Sequence, residues 1–121
     1  MLKILVCGGI DFKDKHCVFE TLSALDTLHF PHKFHVIHGD ATGADSFANE
    51  WAESNGCTVV PCPADWDTHG PIHNKQMLKL KPDIVVAFPG GKGTEHMVKI
   101  AKEAGVAVIR ITNKPNPVAP N

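Results

Sequence analysis

The stretch Ile84-Val85-Val86-Ala87-Phe88-Pro89-Gly90-Gly91-Lys92-Gly93-Thr94 passes from an apolar β-type run through a glycine turn into a helix start. Two other apolar runs end alike. Residues 2–6 lead into Cys7-Gly8-Gly9, and residues 34–37 lead into His38-Gly39-Asp40-Ala41-Thr42-Gly43. Glycine lets the backbone turn tightly and lets a ligand approach it closely. The helix that follows offers unpaired N–H groups and a partial positive charge. A phosphate suits such a place, although a tight strand-to-helix turn needs glycine as well. Three such turns in one short chain favour a site.

Working outward from that stretch, Val18, Leu22, Leu25 and Leu28 recur at helical spacing and predict a helix over residues 15–29, stopped by Pro31. Ala44, Phe47, Ala48, Trp51 and Ala52 predict a second helix closed by Gly56, with Trp51 in the core. A third strand is expected at 58–60, a loop at 61–71, a less periodic helix at 72–80 and a fourth strand at 83–88. Met97, Ile100, Ala101 and Ala104 give the last helix its apolar stripe before a fifth strand at 106–111. Short, nearly all-apolar strands alternating with helices imply a parallel sheet covered on both faces, joined by right-handed crossovers. The expectation is one Rossmann-like α/β three-layer domain over residues 1–112, with a five-stranded sheet in the order 3-2-1-4-5. Its ligand crevice would lie where the order reverses, between the first and fourth strands. The proline-rich residues 113–121 read as a disordered tail.

Composition narrows the function. At 121 residues the chain fits a single domain, and 43% hydrophobic with 21% charged residues is ordinary for a globular protein. No apolar run is long enough to span a bilayer, and the start of the chain reads as a strand rather than a signal peptide, so a cytoplasmic protein without a membrane partner is expected. A formal net charge of −1 argues against nucleic acid as a partner. The four cysteines form no C-x-x-C pairs and read as reduced structural thiols. Eight histidines are more than expected, yet no metal-ligand spacing appears, so neither metal nor cofactor is expected.

Neither standard nucleotide fingerprint is present: the third glycine of a dinucleotide motif would fall at His96, and Lys92 precedes Gly93 rather than the Ser or Thr of a Walker loop. The amides of the 90–94 turn, with the Thr94 hydroxyl, can bind a phosphate or cap the helix. Asp40 and Asp45 can accept ribose hydroxyls or a base N–H, and either can equally cap the helix that begins there. Trp66, flanked by Asp65 and Asp67, either stacks on a base or packs over the sheet edge. His73, Asn74 and Lys75 begin a helix from which they could reach the same cleft.

Together, Gly8-Gly9-x-Asp11-Phe12, His38-Gly39-x-x-x-Gly43-Ala44-Asp45, Trp51-Ala52, Pro63-Ala64-Asp65-Trp66, Asn74 with Met77, and Phe88-Pro89-Gly90-Gly91-x-Gly93-Thr94-x-x-Met97 resemble the small YspA/YpsA-related branch of the SLOG superfamily. The resemblance runs from Lys3 to Ile111. It implies a Rossmann-like fold and a nucleotide or nucleotide-derived ligand; larger relatives include the Lonely Guy phosphoribohydrolases and the DprA DNA-processing proteins. In Lonely Guy enzymes a catalytic glutamate follows the Pro-Gly-Gly-x-Gly-Thr threonine by three residues, and that position is Met97, with Glu95 out of register. An arginine expected before the Asn is His73, and the one often following Gly8-Gly9 is Ile10.

Two functions follow as expectations. The first is a binding module for a nucleotide or ADP-ribose-like small molecule. Its expected ligand-contacting set is Gly8, Gly9, Asp11, His38, Gly39, Asp40, Gly43, Asp45, Asp65, Trp66, His73, Asn74, Pro89, Gly90, Gly91, Lys92, Gly93 and Thr94. The alternative is an N-glycosidase acting on a nucleoside 5′-monophosphate, with Asp40, Asp45, Asp65 or Glu95 replacing the missing glutamate. No catalytic residue is assigned. A homodimer is the default assembly.

Overall fold

Every strand of this protein alternates its side chains between two helical layers, which is why the strands read as continuously apolar. The computed structural model describes residues 1–64 and 70–112. Along them run β1 (Leu2–Cys7), α1 (Lys15–His29), β2 (Phe34–His38), α2 (Ala44–Ser54), β3 (Val59–Pro61), α3 (Pro71–Leu78), β4 (Ile84–Ala87), α4 (Lys92–Glu103) and β5 (Ala107–Arg110). The five strands form one sheet, all parallel, in the order β3-β2-β1-β4-β5. The register places Cys7 beside Ala87 and Ala87 beside Arg110, so β1, β4 and β5 end level at the carboxyl edge.

One sheet face presents Ile4, Val6, Phe34, Val36, Val86 and Phe88 to α1 and α2. There Trp51 is fully buried, stacks on Phe34 with ring centroids 5.7 Å apart, and donates its indole N–H to Ser23 Oγ at 2.9 Å. The other face presents Leu5, Cys7, Ile37, Val85 and Ala87 to Met77 of α3 and to Met97, Val98 and Ala101 of α4. Burying each large aliphatic side chain contributes about 1.5–3 kcal/mol, so the two layers hold the strand ends in fixed relative positions.

Several element boundaries differ from the periodicity, the third helix and the third strand among them. The third helix starts at Pro71, whose fixed φ suits the first helical position, and stops at Leu78 rather than residue 80. Beyond it, Leu80 and Lys81 donate to Met77 and Leu78 at 3.1 and 3.0 Å, tightening the last turn into i→i−3 bonds, and Lys81 adopts a φ of 58°. The third strand extends to Pro61, which the sheet tolerates because β3 is an edge strand with one side unpaired. No helix among the described residues is long and apolar enough to cross a membrane. The expected tail, 113–121, lies outside the described residues.

Candidate functional site

All three glycine turns meet at the carboxyl edge of the sheet, around Gly9. Its N–H donates to Pro89 O at 2.8 Å, and its carbonyl accepts from Phe12 N at 3.2 Å and Ala44 N at 3.3 Å. The Thr42 hydroxyl ties the second turn to the first by donating to Ile10 O at 2.8 Å. Approach this close leaves no room for side chains. A Cβ on Gly43 would lie 2.2 Å from Gly9 O, and one on Gly90 would lie 2.3 Å from Thr94 Oγ1 and 2.7 Å from Gly9 N.

Beside this junction opens a cavity of about 310 Å³, at the point where the strand order reverses. Its floor is the end of β1 from Val6 to Gly9; its walls are the β2–α2 turn, the start of α3 and the start of α4. Gly91 is the N-cap of α4, with no side chain capping the helix. The Thr94 hydroxyl therefore does not serve as the cap; Thr94 is the third helical residue, 6% exposed, and lines the cavity. Gly91 and Gly93 also line it, yet a Cβ on either would meet nothing within 4 Å, and Gly91 has an ordinary φ of −100°. The fold does not require glycine at these two positions. Gly93→Ala should therefore stabilise the unliganded protein by about 0.5–1 kcal/mol, the helix-propensity difference between the two residues. Chemical denaturation checks this, and a destabilised variant would show that the space above the turn is not open.

Asp45 is the one carboxylate lining this cavity among the described residues. It is 6% exposed, on the first turn of α2, but it does not cap that helix, whose N-cap is Gly43. Its Oδ2 turns back to accept the N–H groups of Gly39 at 2.9 Å and Ala41 at 3.3 Å, which holds the β2–α2 turn in shape. Its Oδ1 has no partner among the described residues. Burial raises its pKa above the ordinary 3.8, partly offset by those two N–H groups and by the His38 and His73 imidazoles. A carboxyl raised on folding makes the folded state bind more protons than the unfolded one between 3.8 and the folded value, so stability falls as pH rises through that window. Asp45→Asn removes this slope. Its stability relative to the native protein should grow as pH rises from 3.8 through the raised folded value, then level off, as urea titrations across pH would record.

His73 and Asn74 both reach the cavity. The His73 Nε2 donates to Cys62 O, which orients the ring. Asn74, 8% exposed, donates through Nδ2 to Gly93 O at 3.0 Å and His96 Nδ1 at 3.1 Å, tying α3 to the first turn of α4. Cys7, which motif reading passed over, lies on the floor. Burial first, then the Asp45 carboxylate, pushes its thiol up to about 12, so it stays protonated and inert.

Of the expected ligand-contacting residues, Gly8, Gly9, Gly39, Asp45, His73, Asn74, Gly91, Gly93 and Thr94 converge on this cavity. Asp11, Pro89 and Gly90 border a neighbouring one. Others are drawn elsewhere. His38 is 1% exposed, with Nε2 on Asn49 Oδ1 at 2.8 Å and Nδ1 accepting from Asp40 N at 2.9 Å, so both ring nitrogens are committed within the fold. Asp40, at φ 59°, is exposed and lines neither cavity, and it does not cap α2. Gly43 packs on Gly9, and Lys92 is exposed and lines neither cavity. Asp65 and Trp66 lie outside the described residues. Ile10, Ala41 and Met77 also join the lining; Met77 and Ile10 stand at motif positions of the resemblance, while Ala41 carries no signal of its own, because nothing in a local pattern marks an apolar residue as facing a ligand.

Glu95 also points away. Its carboxylate takes both guanidinium nitrogens of Arg110, the sole arginine of the chain, at 2.9 and 2.5 Å. That hydrogen-bonded pairing holds the Glu95 carboxyl below its ordinary value. Met97 is fully buried against the sheet.

An open parallel sheet with a crevice at its switch point, ringed by three glycine turns, defines a Rossmann-like α/β domain. The chain belongs to the YspA, cpYpsA-related SLOG family, whose model matches residues 2–69. It is 36% identical over 127 residues to the Gene 61 protein of Mycobacterium phage D29, an alignment covering 95% of this chain and all of that protein. Among solved structures, the X-ray structure of TM1055 superposes with a TM-score of 0.73 at 19% identity, covering 89% of this chain and 72% of that one. At that identity the likeness is one of fold. The 88–94 turn lies beyond the matched residues of the family model, so its geometry stands on this structure alone.

Proposed function

We propose that this protein binds a nucleotide or nucleotide-derived small molecule in the 310 Å³ cavity, with a phosphate on the 90–94 turn. One observation carries the reading: Gly91 and Gly93 are glycines the fold does not need, at a helix N-terminus that opens into the cavity. An approaching anion does need them, because it must reach the free N–H groups of that first turn. Asp45 Oδ1 accepts a sugar hydroxyl, and His73, which lines the cavity beside Gly39, stands in place of an always-charged arginine. Membership of the SLOG family supports a small-molecule ligand for the same site.

The reading predicts stabilisation by nucleotides. A ligand that binds only the folded state adds about 2.7 kcal/mol at a hundred times its Kd, which a thermal-shift panel of nucleoside phosphates detects. If no nucleoside phosphate in the panel moves the transition, the phosphate assignment is wrong. Hydrolysis is the second reading, and one observation favours it: Asp45 is a buried cleft carboxylate with a raised pKa, the environment of an acid–base residue. Against it, Met97 offers no carboxylate and Glu95 is held by Arg110. Losing the acid–base group typically costs about 10²–10⁴ in rate. Release of free base from nucleoside monophosphates should therefore stay below about one turnover per minute. Faster turnover, abolished by Asp45→Asn, would replace the binding reading with a glycosidase.

A further inference from the structure

The charge of this protein is sorted between its two helical layers. Residues 11–56, which carry α1 and α2, hold eight carboxylates against three lysines, whereas residues 70–112, which carry α3 and α4, hold three carboxylates against six lysines and the arginine. Two of those three carboxylates are engaged inside the fold: Asp83 accepts the Lys3 N–H at 2.8 Å, and Glu95 holds Arg110. A net charge of −1 therefore conceals a cationic face.

On that face a groove of about 270 Å³ runs between α3 and α4, floored by Leu78, Ile100 and Ala104, with Lys75 and Lys79 on its α3 side. Leu78 and Ile100 pack inward on the sheet core and are half-buried. Two of the large apolar side chains left exposed flank the same helix, Ile72 near its start at 53% and Leu80 just past its end at 37%. None of the groove residues lines the ligand cavity, so this surface is separate from it. Lys75 and Lys79 are exposed, four residues apart, and neither joins an ion pair among the described residues. Like charges at that spacing destabilise a helix, so α3 carries the pair at a cost to itself. A partner bearing carboxylates turns that cost into attraction.

The groove is smaller than the roughly 300 Å³ at which pockets begin to enclose a small molecule, and it takes one or two aliphatic side chains. A nucleic-acid backbone would satisfy the lysines but leave the floor uncovered, and its bases stack on aromatic faces, of which the groove has none. We propose that the α3–α4 groove docks an acidic amphipathic helix of a partner protein, with its apolar side chains on Leu78, Ile100 and Ala104 and its carboxylates on Lys75 and Lys79.

Fluorescence anisotropy tests it with a labelled, alanine-based peptide of about four helical turns, carrying leucine at i, i+3 and i+7 and glutamate beside each. One control replaces the leucines by serine, and another replaces the glutamates by lysine. The parent peptide should bind at least about tenfold tighter than either control, and added salt should weaken it. Lys75→Glu reverses a charge beside the groove yet sets a glutamate four residues before Lys79, the favourable order on a helix. It should therefore raise Tm slightly while weakening the peptide at least about fivefold. Ala104→Glu, at an exposed position, puts a carboxylate on the floor and should abolish binding. No binding of the parent peptide, binding equal to that of the serine control, or undiminished binding by both variants overturns the proposal. A labelled oligonucleotide that binds tighter than the peptide and is lost in Lys75→Glu would make this a nucleic-acid surface and overturn it too. So would concentration-dependent oligomers in sedimentation that Lys75→Glu disperses, which would place a second copy of this chain in the groove.

Discussion

Gly91→Val will leave the protein folded and weaken its grip on nucleoside phosphates by at least about a hundredfold. The folded state tolerates the change because Gly91 sits at a φ of −100° with nothing within 4 Å of its Cβ position. The ligand does not tolerate it. A branched side chain over the first turn of α4 keeps an anion from the free N–H groups of that turn. Each charge-assisted bond lost costs about 1.5–3 kcal/mol, and losing even two exceeds a factor of a hundred. Calorimetry of the purified variant, with thermal denaturation as the folding control, reads both halves of the statement. Unchanged affinity in a folded variant would sink the phosphate site.

Gly43→Ala should have the opposite signature, a severe loss of stability. Gly43 holds φ 75° and ψ −129°, a region that side-chain-bearing residues rarely enter, and its Cβ would lie 2.2 Å from Gly9 O and 2.8 Å from Ile10 C. Both obstacles are backbone atoms, so relief requires the first and second turns to move apart. Backbone strain and overpacking each cost about 1–3 kcal/mol, and together they take a large share of a typical domain's 5–15 kcal/mol. A fall in Tm of about 10–20 °C is expected. Gly56→Ala separates the two terms: φ there is 70°, but nothing lies within 4 Å, so it bears only the backbone strain. Equal Tm losses for the two variants would mean that the contact with Gly9 is not tight.

The contrast between Gly91 and Gly43 shows where sequence reading stops. In the chain both are members of glycine-containing turns after apolar runs, and nothing local tells them apart. The structure makes Gly43 a packing requirement and leaves Gly91 unexplained by packing, which turns the second into evidence for a ligand. His38 and Asp45 diverge in the same way. Both belong to the His38-Gly39-x-x-x-Gly43-Ala44-Asp45 motif, yet His38 is sealed between Asn49 and the Asp40 N–H while Asp45 faces the cavity. Asn49 is eleven residues from His38 and one helix away, so no short motif could have paired them.

The sequence by itself determined the architecture of this protein. Strand length, helical periodicity and Gly or Pro punctuation are local properties, and alternating β and α segments leave a right-handed, doubly covered parallel sheet as the consistent solution. Strand order, the switch point and the placing of all three glycine turns on one edge follow from that solution, and the structure has them so. What only the tertiary structure decided is which polar groups remain available once the turns are packed together. Asp11 and Lys13 border a second cavity, Glu95 is turned to Arg110 on a neighbouring strand, and Cys7 and Met77 enter the first cavity's lining. These outcomes depend on contacts between residues far apart in the chain, where a few tenths of an ångström between backbones decide whether a side chain is spent on the fold or left for a ligand.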